Sequence, residues 1–454
     1  MSSADFSASA ARSDASAADI GWTPVRIAVV ALSFLLNALD GMDIVIMSYI
    51  APVLAADWGL TPENLGVVFS ASLAGMTVGC LFVAPLADKW GRRPLILGML
   101  SIITFCMLIS SFAQTLAELV AARFIIGIGI GAILAGVTAI AADFAPPARR
   151  GLVVSMAIAG YPLGAVTTGL LSAHLLPVHG WRFMLLGAGI ISLVVIPVIF
   201  LILPESQDYL LRKQPRNALA RLNKLRSRLG EGVLDRLPPK PAATRTYDAG
   251  EVFGGGRTIG TLCLWLGIFM GFMTFYFVVS WITQLSVRAG LPLDRAIYAG
   301  ALFNLGGFVG TLVVGWLGSR HGLPRVTTIT MIIAACLIAL FGALSMPLAL
   351  TLAMAFLAGM ATNGGFNAFY GLAAELYPAA VRSTGIGWAM GVGRFGAVIG
   401  PLLGGWLIGQ GVTLSRGLMP EGAESYAKAE FWPDFAAASC RRSVLRRQRA
   451  QRDR

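Results

Sequence analysis

Charge is what this sequence has least of. Of 454 residues only 13% are Asp, Glu, Lys or Arg, about half the share of an average soluble domain, while 56% are hydrophobic. A soluble globular chain is excluded, because so little polar surface cannot cover so much apolar surface. Cysteine is sparse too. The five present (Cys80, Cys106, Cys263, Cys336, Cys440) have no CxxC spacing, and four lie in apolar runs, so no disulfide framework or zinc site is expected. There is no GxxxxGK[ST] loop, which argues against nucleotide-driven pumping, and no metal cluster or nucleophile–base pair, which argues against an enzyme. Residues 1–24 are rich in Ser and Ala but lack the basic start and apolar core of a signal peptide, so they read as a disordered, cytoplasmic N-terminus. The net charge of +12 resides mainly in short loops and the tail. That pattern reports membrane orientation rather than nucleic-acid binding.

What is present is a series of long apolar runs. They predict helical spans at 26–51, 64–87, 94–113, 119–142, 150–173, 183–203, 258–283, 295–318, 326–345, 349–373 and 383–408, each near the ~30 Å hydrocarbon thickness. Loops after even-numbered spans carry Lys89, Arg92, Arg93, Arg149, Arg150, Arg320, Arg325 and Arg382. A hydrophilic segment at 204–257 holds seven more bases, from Arg212 to Arg228, and its first part reads as a surface helix. Loops after odd-numbered spans are poor in both. The bias places the N-terminus and the 204–257 linker in the cytoplasm. The expected organisation is a six-span half at 25–203, a linker, and a second half at 258–411. Residues 412–454 form an Arg-rich tail with no apolar run long enough to span, so the twelfth span is expected to be missing or replaced, and the chain could be an inactive product.

Polar residues inside these runs are the functional candidates. Asp40 and Asp43 lie past the middle of the first span, three residues apart and hence on one face. An ionisable group at the bilayer centre costs roughly 2.5–3.5 kcal/mol on insertion scales, so a pair implies a polar interior. Carboxylates there can carry protons, or they can only bind neighbouring helices. Arg123 lies roughly 6 Å and Asp43 ~12 Å from the outer end of their spans by helical rise. Arg123 can bridge to Asp43 or snorkel outward. Arg394 is near mid-membrane, too deep to snorkel, with a fork suited to carboxylate. It is the main candidate for an anionic substrate, with a structural pairing as the alternative. Asn304, Asn363 and Asn367 could bind substrate hydroxyls or neighbouring helices. Phe272, Tyr276 and Trp281 could stack on an aromatic ring or pack. His174 and His179 read as solvated residues of an outer loop.

An internal repeat is legible. APLADKWGRR after span two and GWLGSRHGLPR after span eight fit one degenerate frame, with Ser319 where the first copy has Asp88. ADFAPPARRG and AELYPAAVRSTG, at the ends of spans four and ten, share an acid, a proline and an arginine before a glycine. Duplicated halves are common in secondary transporters.

These residues resemble the major facilitator superfamily. Asp88, Lys89, Gly91, Arg92 and Arg93 match its loop after span two, with Ala84 where the family usually has Gly. Arg123, Phe124, Gly127, Gly129 and Gly131 match its fourth-span pattern, and Pro204, Glu205 and Ser206 its exit from span six. The DGMD stretch at 40–43 is similar to the aromatic acid:proton symporters of that superfamily. The resemblance implies an all-α membrane protein of two six-helix halves with inverted three-helix repeats. It further implies a monomeric, multi-pass symporter of the cell inner membrane, importing small aromatic carboxylates with protons and driven by the proton gradient without a cofactor. Asp88 would accept from the N-terminus of span eleven, and Arg92 would pair with Asp143, together locking the halves shut on the cytoplasmic side. Arg93 belongs to the same gate, and Glu375 with Arg382 would supply part of the second copy. The rival readings are a symporter for another organic acid or sugar, and a drug/proton antiporter. The latter is weakened because GPxxGG stands in span eleven, not span five.

Overall fold

A computed structural model of the chain describes residues 22–146, 149–239, 249–254, 256–343, 346–378 and 381–410. The expectations for 1–21 and for the 412–454 tail lie outside the described residues. Among the described residues every regular element is helical. The long helices are α1 Pro24–Trp58, α2 Pro62–Val78, α4 Arg92–Ser110, α5 Leu116–Phe144, α7 Gly160–Ile202, α11 Thr258–Arg288, α12 Leu293–His321, α13 Leu323–Ala343, α14 Leu348–Leu376 and α15 Arg382–Gly409. Short helices α3 Ala87–Trp90, α6 Arg150–Ile158, α8 Gln207–Lys213, α9 Ala218–Arg228 and α10 Ala249–Val252 lie between them.

Local chemistry sets the ends. Thr23 accepts from the Arg26 N–H at 3.4 Å, and Pro24 occupies the first turn of α1, where its missing donor costs nothing. The sequence pattern ends this span at residue 51, but the helix runs on to Trp58 and stops only at Gly59, whose φ is 61°. Thr115 caps α5, and Glu118 reaches back to the Gln114 N–H at 2.9 Å, a reciprocal cap of two otherwise orphaned donors.

The Arg150–Ile202 segment has 53 residues, about 80 Å of helix and far too long for one crossing. It breaks at Gly180, where φ is 79° and ψ 175°. The first pass packs Gly160 on the Phe34 carbonyl and Gly164 on the Ala38 carbonyl of α1. Trp181 then meets Asp57 at the end of α1, and Gly189 returns along Leu108 of α4. The segment thus crosses twice. Among the described residues eleven crossings result, matching the eleven apolar runs. His174 and His179 sit on the helical pass that ends at this break, not in a loop, and both are exposed.

Two glycine-lined pairs recur in each half. In the first half a Cβ at Gly75 would strike the Phe124 carbonyl, and one at Gly127 the Ser72 carbonyl, so α2 and α5 touch backbone to backbone. In the second half Gly310 and Gly359 do the same for α12 and α14. Gly41 and Gly160 bring α1 against α7, and Gly396 and Gly400 bring α15 against α11. Close approach through small residues is how helices associate where lipid removes the hydrophobic drive. The glycines of the two repeated loops agree as well: Gly91 has φ 102° and Gly322 φ 86°, a region that disfavours side chains.

The contacts between halves gather at the end remote from the basic loops. Ser48 Oγ lies 3.4 Å from Thr283 Oγ1, Ser70 Oγ donates to the Val398 carbonyl at 2.7 Å, and Phe69 meets Trp281 edge-on at 5.3 Å. At the basic-loop end Asp88, Glu375 and Arg382 are all exposed.

Candidate functional site

The two aspartates of α1 have different surroundings. Asp43 is buried, and its Oδ1 accepts from Arg123 Nη1 at 3.0 Å, with side-chain exposures of 3% and 0%. Arg123 also reaches the Asp43 carbonyl at 3.4 Å and Met107 Sδ at 3.3 Å. Of the two readings of Arg123, snorkelling is excluded. Asp43 Oδ2 and Arg123 Nε remain without hydrogen-bond partners. A buried ion pair must be well bonded to offset desolvation, so these two atoms leave the pair incompletely satisfied.

Asp40 is half-buried, has no ion pair, and its Oδ1 is buried without a partner. A cavity of about 30 Å³ touches Asp40, Asp43, Asn37 and Ser192 within otherwise apolar walls from α4 and α5. That is room for a water or two. It lies wholly inside the first half.

On the opposite side Asp40 is within electrostatic reach of Arg394 in α15, and Tyr276 is within reach of both. Arg394 makes no hydrogen bond or ion pair among the described residues, and Tyr370 also lies in its field. A half-buried guanidinium at mid-span thus lies in the field of a carboxylate from the other half. Beside it Phe272, Phe275, Tyr276 and Phe366 interlock, with centroid distances of 4.7–6.1 Å. Trp281 is separate: it is fully buried and donates to the Pro401 carbonyl at 3.1 Å. It serves packing, not stacking on a ligand.

Sequence reading missed Tyr161 and Tyr370. Tyr161 carries a buried hydroxyl without a partner, in the field of Asp40 and Tyr276. The available signal was a polar aromatic adjacent to Gly in an apolar run, which also describes many packing tyrosines.

The asparagines are placed in the second half. Asn304 donates to the Gly300 carbonyl of its own helix at 3.0 Å, and its Oδ1 is buried and unpartnered. Asn363 packs over Gly307, and Asn367 donates to Thr311 Oγ1 at 2.8 Å, so both face α12.

The expected gate needs correcting. Arg92 does pair with Asp143, but both belong to the first half, so the pair joins α4 to α5 and cannot by itself lock the halves together. Ser206 Oγ donates to Asp143 at 2.6 Å, and Asp208 lies 3.6 Å from Arg92. Glu205 Oε1 accepts from the backbone N–H groups of Arg92, Arg93 and Ser206 at 3.0–3.2 Å. A carboxylate thus caps the N-terminus of α4, where the helix dipole favours it. The PES exit from span six, noted in sequence only as a likeness, is a clamp. Arg93 donates to the Phe200 carbonyl at 2.6 Å. Asp88 is exposed and meets no partner among the described residues, so its contact with the start of span eleven is not made in this conformation. Arg382 turns to the Tyr377 carbonyl at 3.2 Å instead of pairing with Glu375.

Duplicated halves, glycine-seamed helix pairs and a charged centre between them define a secondary-transporter fold. The sequence matches the Major Facilitator Superfamily over residues 33–350, with a second match over 264–413. The chain belongs to that superfamily and is a multi-pass membrane transporter, not an enzyme. It is similar to the gallate transporter of Pseudomonas putida (35% identity, covering 85% of this chain and 86% of that protein). It is likewise similar to the 4-hydroxybenzoate transporter PcaK of Pseudomonas aeruginosa (33%, covering 86% and 88%) and the benzoate transport protein of Acinetobacter baylyi (30%, covering 85% and 84%). In fold it resembles a bacterial homolog of the human lysosomal transporter Spinster, inward-facing and occupied (TM-score 0.68, 18% identity, covering 86% and 83%). The E. coli xylose transporter XylE, partially occluded and inward open, is a second such neighbour (TM-score 0.63, 18% identity, covering 85% and 94%).

Proposed function

We propose that this chain imports small aromatic carboxylates together with protons, as a monomer in the cell inner membrane with its N-terminus in the cytoplasm. The observation that carries the reading is Arg394, a mid-span guanidinium with no ion pair, beside an aromatic cluster and across from Asp40. A guanidinium fork matches a carboxylate, and the rings of Phe272 and Tyr276 offer faces to an aromatic body. The relatives named for gallate, 4-hydroxybenzoate and benzoate support that substrate class.

Coupling follows from charge balance. While Asp40 is ionised it compensates Arg394. When Asp40 takes a proton, the cation loses that compensation and a substrate anion becomes its best partner. Proton and substrate therefore favour each other's binding, because the centre is neutral when both are bound or both absent and carries net charge when only one is bound. Rocking of the halves, each held as a unit by its own glycine-lined helix pairs, then exposes the site to the other side. The Asp43–Arg123 pair holds α1 against α5 beside this centre and is a second candidate relay. Asp88, Arg92, Arg93, Asp143, Glu375 and Arg382 serve the basic-loop end, where the halves part. The proton gradient, rather than a bound cofactor, supplies the energy. A fixed cation at mid-span disfavours export of cationic drugs.

The test is uptake of labelled 4-hydroxybenzoate into proteoliposomes under an inward proton gradient, with and without an uncoupler. Wild type accumulates label and the uncoupler abolishes it. Asp40→Asn keeps counterflow exchange but loses gradient-driven accumulation, and Arg394→Ala loses both. Accumulation by Asp40→Asn and Asp43→Asn that equals wild type would end the proton assignment. Unimpaired binding by Arg394→Ala would end the substrate assignment.

A further inference from the structure

Another cavity lies far from the centre, at the basic-loop end. It has a volume near 270 Å³ in the same measure that gives about 30 Å³ for the cavity beside Asp40. Its walls are Arg93 of α4, the Pro204–Glu205 turn after α7, and one face of the linker helix α9. That face presents Arg221, Lys224 and Arg228, spaced i, i+3 and i+7 and so aligned along the helix. The opposite face of α9 buries Leu222, and Leu225 lies at the seam, so the helix is docked in one orientation and its cations are aimed.

The neighbouring acids are already engaged. Glu205 Oε1 is taken by three backbone N–H groups. Asp208 is bound to Arg212 at 2.6 Å and lies 3.6 Å from Arg92. Glu231 is bound to Arg26 at 2.8 Å and Arg226 at 3.5 Å. The side chains of Arg221, Lys224 and Arg228 make no hydrogen bond or ion pair among the described residues, and Arg93 Nε is buried without a hydrogen-bond partner. Four cations therefore converge on a cavity that holds one satisfied carboxylate.

Loop bases that serve only to set orientation need no such arrangement. They require neither a cavity nor a shared helix face. The position of the cavity adds a further constraint. Arg93 sits over the Phe200 ring at 5.4 Å, and Phe200, Leu201 and Ile202 at the end of α7 are exposed, apolar and directed away from the protein core. An anion held here would have its charged head against α9 and an apolar surface running along the span beside it.

We propose that this cavity binds the phosphodiester headgroup of an anionic membrane phospholipid. Arg93, Arg221, Lys224 and Arg228 hold the phosphate, and the acyl chains lie along Phe200 and Leu201. Juxtamembrane clusters of Lys and Arg attract acidic lipid surfaces. The cavity converts that general attraction into a defined site, and the bound lipid ties the linker helix to the first half.

Native mass spectrometry of the full chain in detergent, titrated with phosphatidylglycerol or phosphatidylcholine, tests this. Phosphatidylglycerol adducts are expected at a concentration at least ten-fold lower than phosphatidylcholine adducts. The triple variant Arg221→Gln/Lys224→Gln/Arg228→Gln, all at exposed positions, removes that preference. A control of equal charge change away from the cavity, Lys213→Gln/Arg216→Gln/Arg236→Gln, retains it. Inorganic phosphate competes only at millimolar concentration. Equal adducts with both lipids, an unaltered preference in the first triple variant, or the same loss in the control would each overturn the site. So would phosphate binding as tight as that of phosphatidylglycerol, which would make the ligand a free anion.

Discussion

Breaking the Asp43–Arg123 pair has an asymmetric cost that can be worked from the structure. The two groups are 3.0 Å apart, at 3% and 0% exposure. At an effective dielectric of about 20, two charges so placed attract by roughly 5–6 kcal/mol, and removal of one partner from a buried pair costs about 3–5 kcal/mol. In Asp43→Asn the guanidinium stays charged, because it cannot shed its proton. In Arg123→Gln the freed carboxyl can take up a proton and become neutral. Asp43→Asn should therefore destabilise more than Arg123→Gln, and the double variant should recover part of the loss. Cys106 is a built-in reporter: its thiol is buried and its chain neighbour Met107 touches Arg123. Heating each variant with a thiol-reactive fluorophore, in a background lacking Cys80, Cys263, Cys336 and Cys440, gives an apparent melting temperature. The order should be wild type, then Arg123→Gln, then Asp43→Asn, with the double variant above the single Asp43 change. Strictly additive losses, or a wild-type melting point for Asp43→Asn, would show that the pair carries no interaction energy.

Two further outcomes follow from packing and capping. Gly75→Ala places a methyl group against the Phe124 carbonyl and should cost at least 1–3 kcal/mol as overpacking, whereas Gly98→Ala meets nothing within 4 Å; the yield of monodisperse protein should fall for the first and hold for the second. Glu205→Ala strands three backbone donors and should lower the apparent melting temperature by the equivalent of about 2–4 kcal/mol, with Glu205→Gln losing roughly half as much because it keeps one acceptor.

The gate shows how motif and geometry part company. Asp88, Arg92 and Arg93 are visible as a motif, and the glycine between them is explained by its positive φ. Which group Arg92 serves is a matter of where α7 ends, because Ser206 and Asp208 arrive there from a hundred residues downstream. The pairing of Arg92 with Asp143 could be guessed from depth, yet its confinement to one half could not. The difference between Asp40 and Asp43 was equally hidden. Both share a helix face, and only the approach of α5 gives Arg123 to one and leaves the other facing Arg394.

The sequence alone determined that the chain crosses a membrane many times, how its halves repeat, and which few ionisable groups stand in apolar surroundings. Those are local properties: hydropathy run length, charge bias between alternate loops, and glycine spacing are all read within one segment. The tertiary structure decided who meets whom. Ion pairs, orphaned hydroxyls, the aromatic cluster beside Arg394 and the cationic face of α9 depend on contacts between residues far apart in the chain. A helix fixes which side chains share a face, but only packing decides what that face confronts.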